Sequence, residues 1–95
     1  MSDLSLTQKV SLSEDVLLQD LGGESVLLNL DSEKYFGLNE MGTRMISVLN
    51  DAPSIQAAYQ LLLVEYEVDG IELKQDLLAL IEKLAEHGLV KVTGS

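Results

Sequence analysis

Val16-Leu17-Leu18-Gln19-Asp20-Leu21, then Gly22-Gly23, then Glu24-Ser25-Val26-Leu27-Leu28-Asn29-Leu30: two apolar runs with a pair of glycines between them. Both central residues of a type I′ turn need positive φ, which glycine adopts without steric cost, so this stretch predicts a tight β-hairpin. With Gly22-Gly23 as the loop, Leu17 faces Leu28 and Gln19 faces Val26. Alternation then places Leu17, Leu21, Val26, Leu28 and Leu30 together on one face of the ribbon. That face is apolar along its length and is the expected core face.

Downstream, Asp31-Ser32-Glu33-Lys34 reads as a second turn and Tyr35-Phe36-Gly37-Leu38 as a short third strand. Aromatic residues favour the strand, and Gly37 lets another backbone come near. Asn39 is placed to cap a helix from Glu40 to Asn50, with Met41, Met45, Val48 and Leu49 at helical spacing. Pro53 ends it, and Ser54 caps a second helix with Ile55, Ala58, Tyr59, Leu62 and Tyr66 on one stripe. Asp69 and Glu72 stand at capping-box spacing before a third helix, which closes at Gly88. Upstream, residues 1–9 read as a flexible N-terminal segment and 10–95 as the single domain. Lys9 to Leu12 and Leu89 to Val92 are short extended pieces at its two ends. The fold class is α+β: a winged helix-turn-helix, with a three-stranded antiparallel sheet followed by three helices.

Composition narrows the function. The 95 residues are 46% hydrophobic and carry a formal charge of −10, with no cysteine. A chain this acidic repels phosphate, so neither nucleic acid nor an anionic bilayer is an expected partner, although helix-turn-helix order invites a DNA-binding reading. Lys74 and Lys83 on the last helix stand against Glu72, Asp76, Glu82 and Glu86, the wrong balance for a recognition helix. The absence of cysteine removes disulfides and thiolate sites. No apolar run reaches the length of a membrane span and the start lacks a basic signal-peptide region, which places the protein in the cytoplasm.

Chemistry is sparse. His87, the one histidine, ends the last helix, where a cation interacts well with the helix dipole. No serine or threonine signature accompanies it, so no catalytic residue and no cofactor is assigned, and the chain reads as a non-enzyme. Glu65, Glu67, Asp69, Gly70 and Asp76 fall at EF-hand positions, but the acidic residue types at the loop ends are reversed and the loop would unwind a capped helix. No metal site is expected.

The last helix is more apolar than one core requires. Leu73, Leu77, Leu80 and Leu84 form one stripe; Ile71, Leu78, Ile81 and Ala85 form a second beside it. Either the sheet wraps this helix or part of the arc lines an open groove. A three-stranded meander also has open edges, and Tyr35 to Leu38 is one of them unless the segment around Lys9 to Leu12 covers it. An open edge next to an apolar helix suits strand addition: backbone bonds give affinity and groove pockets give specificity.

The run Leu21-Gly22-Gly23-Glu24-Ser25-Val26-Leu27-Leu28-Asn29-Leu30-Asp31, then Tyr35-Phe36-Gly37-Leu38-Asn39-Glu40-Met41-Gly42-Thr43-Arg44, resembles the PqqD-like peptide-modification chaperones, also called RiPP recognition elements. Asp76-Leu77, Leu80, Leu84 and Gly88-Leu89-Val90 extend the likeness. A stand-alone chain with Tyr-Phe-Gly-Leu-Asn is most similar to the leader-binding proteins of lasso-peptide biosynthesis; Met41 and Ile46 depart from the residues often found there. The resemblance implies a winged-helix domain that binds the leader of a ribosomally made precursor peptide by β-strand addition. Residues 10–95 would then be the leader-peptide-binding domain, presenting the precursor to a modifying enzyme (a protease, cyclase or radical enzyme). It implies Tyr35, Phe36, Gly37 and Leu38 as leader-pairing residues. Leu73, Lys74, Asp76, Leu77, Leu78 and Ile81 are its groove residues on the last helix. A monomer or a strand-exchanged dimer fits such an edge. The alternative is a non-catalytic adaptor subunit that binds a folded protein through its acidic surface.

Overall fold

A computed structural model describes residues 4–94. Its elements are β1 (Lys9–Leu12), β2 (Val16–Asp20), β3 (Ser25–Asn29), β4 (Lys34–Leu38), α1 (Glu40–Asp51), α2 (Ile55–Tyr66), α3 (Gly70–Glu86) and β5 (Val90–Thr93). Strands β2, β3 and β4 form an antiparallel meander in that order, and the helices lie against one face of it.

The hairpin has the expected turn and register. Gly22 and Gly23 take φ of 85° and 109°. The Asp20 carboxylate accepts from both of their N–H groups at 2.8 and 3.3 Å, and the Leu21 N–H closes the turn on the Glu24 carbonyl at 2.7 Å. Leu17 stands opposite Leu28 and Gln19 opposite Val26.

The inward face, however, is the opposite of the one expected. Ser25, Leu27 and Leu38 are buried, with Val16, Leu18 and Phe36 half-buried beside them. Leu17, Leu21, Leu30 and Tyr35 are 50%, 62%, 58% and 76% exposed. Both faces carry leucine, so alternation alone cannot choose between them. The junction into α1 chooses. Leu38 turns under the helix, its Cδ2 lying 3.2 Å from where a Cβ on Gly42 would stand, and the small Ser25 hydroxyl reaches Thr43 Oγ1 of α1 at 2.7 Å.

The two end pieces pair with each other as a second sheet, β1 against β5, with Lys9 opposite Thr93 and Leu12 opposite Val90. This adds to the three-stranded architecture and changes the reading of the N-terminus. Of the flexible segment expected over 1–9, residues 1–3 lie outside the described residues, and the remainder is docked. Leu4 and Leu6 pack against the core. The Leu6 and Gln8 carbonyls accept from Gln56 N–H (2.9 Å) and Ile55 N–H (2.8 Å), satisfying donors that the start of α2 leaves free. The Lys9 ammonium donates to the carbonyls of Leu49 (3.1 Å) and Asn50 (2.6 Å), the cationic cap that the end of α1 lacks in its own sequence.

Asn39, Ser54 and Asp69 cap the three helices as expected, their side chains accepting from Gly42, Ala57, and Ile71 with Glu72, respectively. Asp69 is therefore a helix cap and Glu65 an ion-pair partner, and the EF-hand spacing spans the end of α2 and the start of α3. Helix α3 buries Leu73, Leu77, Ile81 and Leu84 on the common core. No helix among the described residues is long and apolar enough to cross a membrane.

Arg44 of α1 donates bidentately to Glu65 of α2, Nε at 2.8 Å and Nη2 at 2.7 Å. These bonds hold the Glu65 carboxyl below its ordinary pKa and the Arg44 guanidinium above its own. A depressed carboxyl contributes stability above its unfolded pKa and loses it as pH falls through the folded one. Glu65→Gln is thus expected to lower the melting temperature slightly at neutral pH, with the gap to wild type closing in acid. The effect is small because the pair is solvent-facing; melting curves across that pH range check it.

Candidate functional site

Antiparallel pairing alternates bonded and non-bonded residue pairs, so each strand sends its N–H and C=O groups to one neighbour, then the other. The Leu30 N–H donates to the Asp15 carbonyl and the Leu21 N–H to that of Glu24. With the β2–β3 register, this assigns Glu24, Val26, Leu28 and Leu30 to bonds with β2. Ser25, Leu27 and Asn29 are left to bond β4, where their partners are Leu38, Phe36 and Lys34. The backbone groups of Tyr35 and Gly37 therefore point away from the sheet. Among the described residues strand β4 has β3 as its one neighbour, and Lys9–Leu12, the expected cover, is paired with β5 instead. The edge is open.

Helix α3 stands beside this edge. The ring of Phe36 points into the space between, meeting His87 edge-on at 5.5 Å between centroids, with the Lys83 ammonium 5.9 Å from its centre. His87 Nδ1 donates to the Lys83 carbonyl at 2.8 Å, which fixes the ring at the helix end. The histidine serves the helix terminus as expected and also walls one end of the groove. At the other end Met41, Val68 and Leu73 join Asp69, Glu72 and Asp76 around a hollow of about 150 Å³. Between the two ends, Asp76, Leu80, Lys83 and His87 follow one another at i, i+4, i+7 and i+11, a single helix face. This face carries Leu80 between the acidic Asp76 towards the start of α3 and the cationic Lys83 in its last turn, the polarity that the helix dipole favours.

The expected site residues separate into four groups. Tyr35, Phe36, Gly37 and Leu38 all lie on the edge strand, but they play different parts. Tyr35 and Gly37 offer free backbone groups, Phe36 offers a side chain to the groove, and Leu38 is buried with its backbone committed to β3. On α3, Leu73 and Asp76 do line the groove end, while Leu77 and Ile81 are 0% exposed and belong to the core beneath it. Lys74 precedes Lys83, and Leu78 precedes His87, by nine residues. Nine residues is roughly 180° around a helix, so both occupy the flank facing away from β4. Met41, Leu80, Lys83 and His87 are groove residues that sequence reasoning did not select. Asp76 carried the usable signal, since the face it shares with Leu80 and Lys83 is the one turned to the strand.

The matching family model is that of the coenzyme PQQ synthesis protein D (PqqD), over residues 24–90. No curated protein matches the chain. Two solved structures are similar. One is TbiB1 in complex with the TbiA(beta) leader peptide, 28% identical over 90% of this chain and 99% of that one, with a TM-score of 0.80. The other is a lasso peptide synthetase B1 complexed with the leader peptide, 28% identical over 87% and 98%, with a TM-score of 0.78. The matched span runs from β3 through β4 and the whole of α3, more than half of the chain: this chain belongs to the PqqD family.

Proposed function

We propose that this protein is a leader-peptide-binding RiPP recognition element of a lasso-type pathway. It takes the leader of a ribosomally made precursor as a fourth strand on β4 and presents the precursor to a modifying enzyme. One observation carries the reading: among the described residues the outward N–H and C=O groups of Tyr35 and Gly37 stand unpaired beside the groove along α3. The two similar structures, both leader complexes, support it. The leader's backbone pairs with Tyr35 and Gly37, and its side chains enter the groove between Phe36, Met41 and the Asp76–His87 face of α3. No step of this needs a catalytic residue or a cofactor. Holding the leader turns the encounter between core peptide and enzyme into a near-intramolecular one, raising its effective concentration there. The place of work is the cytoplasm, where precursor and enzyme are made. Free chain is a monomer or pairs edge to edge with a second copy, and leader competes for that edge.

Fluorescence anisotropy with a labelled synthetic leader tests this. The expected Kd is about micromolar or tighter, near −8 kcal/mol. Because backbone bonds and apolar contacts dominate, the affinity should change little with salt. An adaptor docking through its acidic surface would show no leader affinity and a contact that weakens steeply as salt rises.

A further inference from the structure

Cations are scarce in this chain, six lysines and arginines against sixteen aspartates and glutamates. Most of the six have tasks already. Lys9 caps the end of α1, Arg44 is bound to Glu65, and Lys91 stands 3.8 Å from Glu14. Lys74 lies on the far flank of α3. Lys34 and Lys83 are left, and both belong to one end of the groove. The Lys83 ammonium lies 5.9 Å from the centre of the Phe36 ring. Alternation along β4 puts Lys34 on the same side of the strand as Phe36, about 7 Å further back. Because β4 leads on through Leu38 to Met41 at the acidic end of the groove, its first residue, Lys34, lies towards the His87 end.

Among the described residues no ion pair holds either lysine. Glu82 and Glu86 are close to Lys83 in sequence, yet its ammonium rests by an aromatic ring, a weak contact while water still solvates the charge. Strand addition changes that balance. A guest on β4 lies beside Phe36 and takes water from the ammonium next to it. A desolvated ammonium is costly unless an anion meets it, and a side chain of the arriving strand is placed to supply one. Phe36 and His87, edge-on at 5.5 Å, form a wall against which the methylene stem of such a side chain packs. At the opposite end Asp69, Glu72 and Asp76 repel the same charge. We infer that the His87 end of the groove is a carboxylate subsite: Lys83, with Lys34 behind it, receives an aspartate or glutamate side chain of the leader. The subsite also sets register. A slip of one residue turns the acid to the other face of the sheet, and a longer slip towards Met41 carries it to the acidic end. This inference rests on the leader-binding role proposed above.

The test uses the full chain, the labelled synthetic leader, and versions of that leader in which each aspartate or glutamate is changed singly to its amide. Lys83 is exposed, so its substitution leaves the core intact. One amide version is expected to bind wild type about fivefold more weakly, and the others within about twofold of the parent. Lys83→Gln should lose about fivefold with the parent leader and nothing further with that amide version, the coupling that marks a direct contact. Lys83→Glu should lose about twentyfold, and lysine at the same leader position should recover most of it. Lys34→Gln, further from the ring, should lose about twofold. Lys74→Glu makes the same change of net charge on the far flank and should have no effect, which separates a local contact from the field of the whole chain. A single pair of this kind keeps the overall salt dependence shallow. The inference is overturned, with leader binding itself intact, if every amide version binds wild type as tightly as the parent. Losses from Lys83→Gln and the amide leader that add in full overturn it equally. A wild-type chain that binds no leader removes the leader reading and this subsite together.

Discussion

Gly37→Pro is expected to abolish leader binding, a loss of about a hundredfold or more, or roughly 2.7 kcal/mol, while the domain stays folded. The separation of the two effects follows from the alternation in β4. The bonds that hold β4 to β3 belong to Lys34, Phe36 and Leu38, whereas the Gly37 N–H points to the vacant edge. Proline there deletes a donor that the folded chain does not use, and its ring occupies the space where a guest carbonyl must come. Nothing within 4 Å meets a Cβ at this position, and Gly37 is not among the glycines with positive φ. Phe36 is already extended, as a residue preceding proline prefers. Gly37→Ala keeps the N–H and is expected to bind leader within a few-fold of wild type, by the ordinary scale of small surface changes. Anisotropy on both variants, with circular dichroism to confirm the fold, gives the comparison. A folded Gly37→Pro variant that binds leader normally would remove strand addition at this edge.

What the sequence made legible was local. The hairpin register, the three helix caps and the order of elements all follow from residues within a few positions of one another: Gly22-Gly23 for the turn, Asn39, Ser54 and Asp69 for the caps. The features it hid depend on distant partners. Leu17–Leu28 and Leu18–Leu27 are equally good apolar pairs, and only the packing of Leu38 and Ser25 against α1 decides which one turns inward. The β1–β5 pairing joins the two ends of the domain, Lys9 with Thr93, and no local pattern announces it. Strand β4 was readable as an edge because sequential strands in a short meander pair in order. Its vacancy was not readable until Lys9–Leu12 had been placed elsewhere.

The groove flank was hidden for a different reason, and the variants that resolve it separate stability from binding. An apolar arc covering half of α3 offers two candidate faces of similar hydrophobicity, and periodicity does not say which of them meets the sheet. The structure divides that arc into a buried centre, Leu77 and Ile81 at 0% exposure, and a groove flank running through Asp76, Leu80, Lys83 and His87. Leu77→Ala leaves a cavity where the helix meets the core and should cost about 2–5 kcal/mol. In a domain of this size each kcal/mol moves the melting temperature by about 4–8 °C, so a fall of about 10 °C or more is expected. Leader affinity measured well below that temperature should stay close to wild type. Leu80→Lys should behave in the opposite way. The lysine stem retains most of the packing while its ammonium reaches solvent through the groove, so stability changes little. The guest's apolar side chains then meet a charge where they need a dry contact, and affinity should fall by about tenfold or more. Lys74→Glu, on the far flank, should leave both quantities near wild type. Thermal melts and leader titrations on these three variants read the two sides of the helix independently. A loss of leader binding in Lys74→Glu with none in Leu80→Lys would move the groove to the other flank and require the leader to leave β4 altogether.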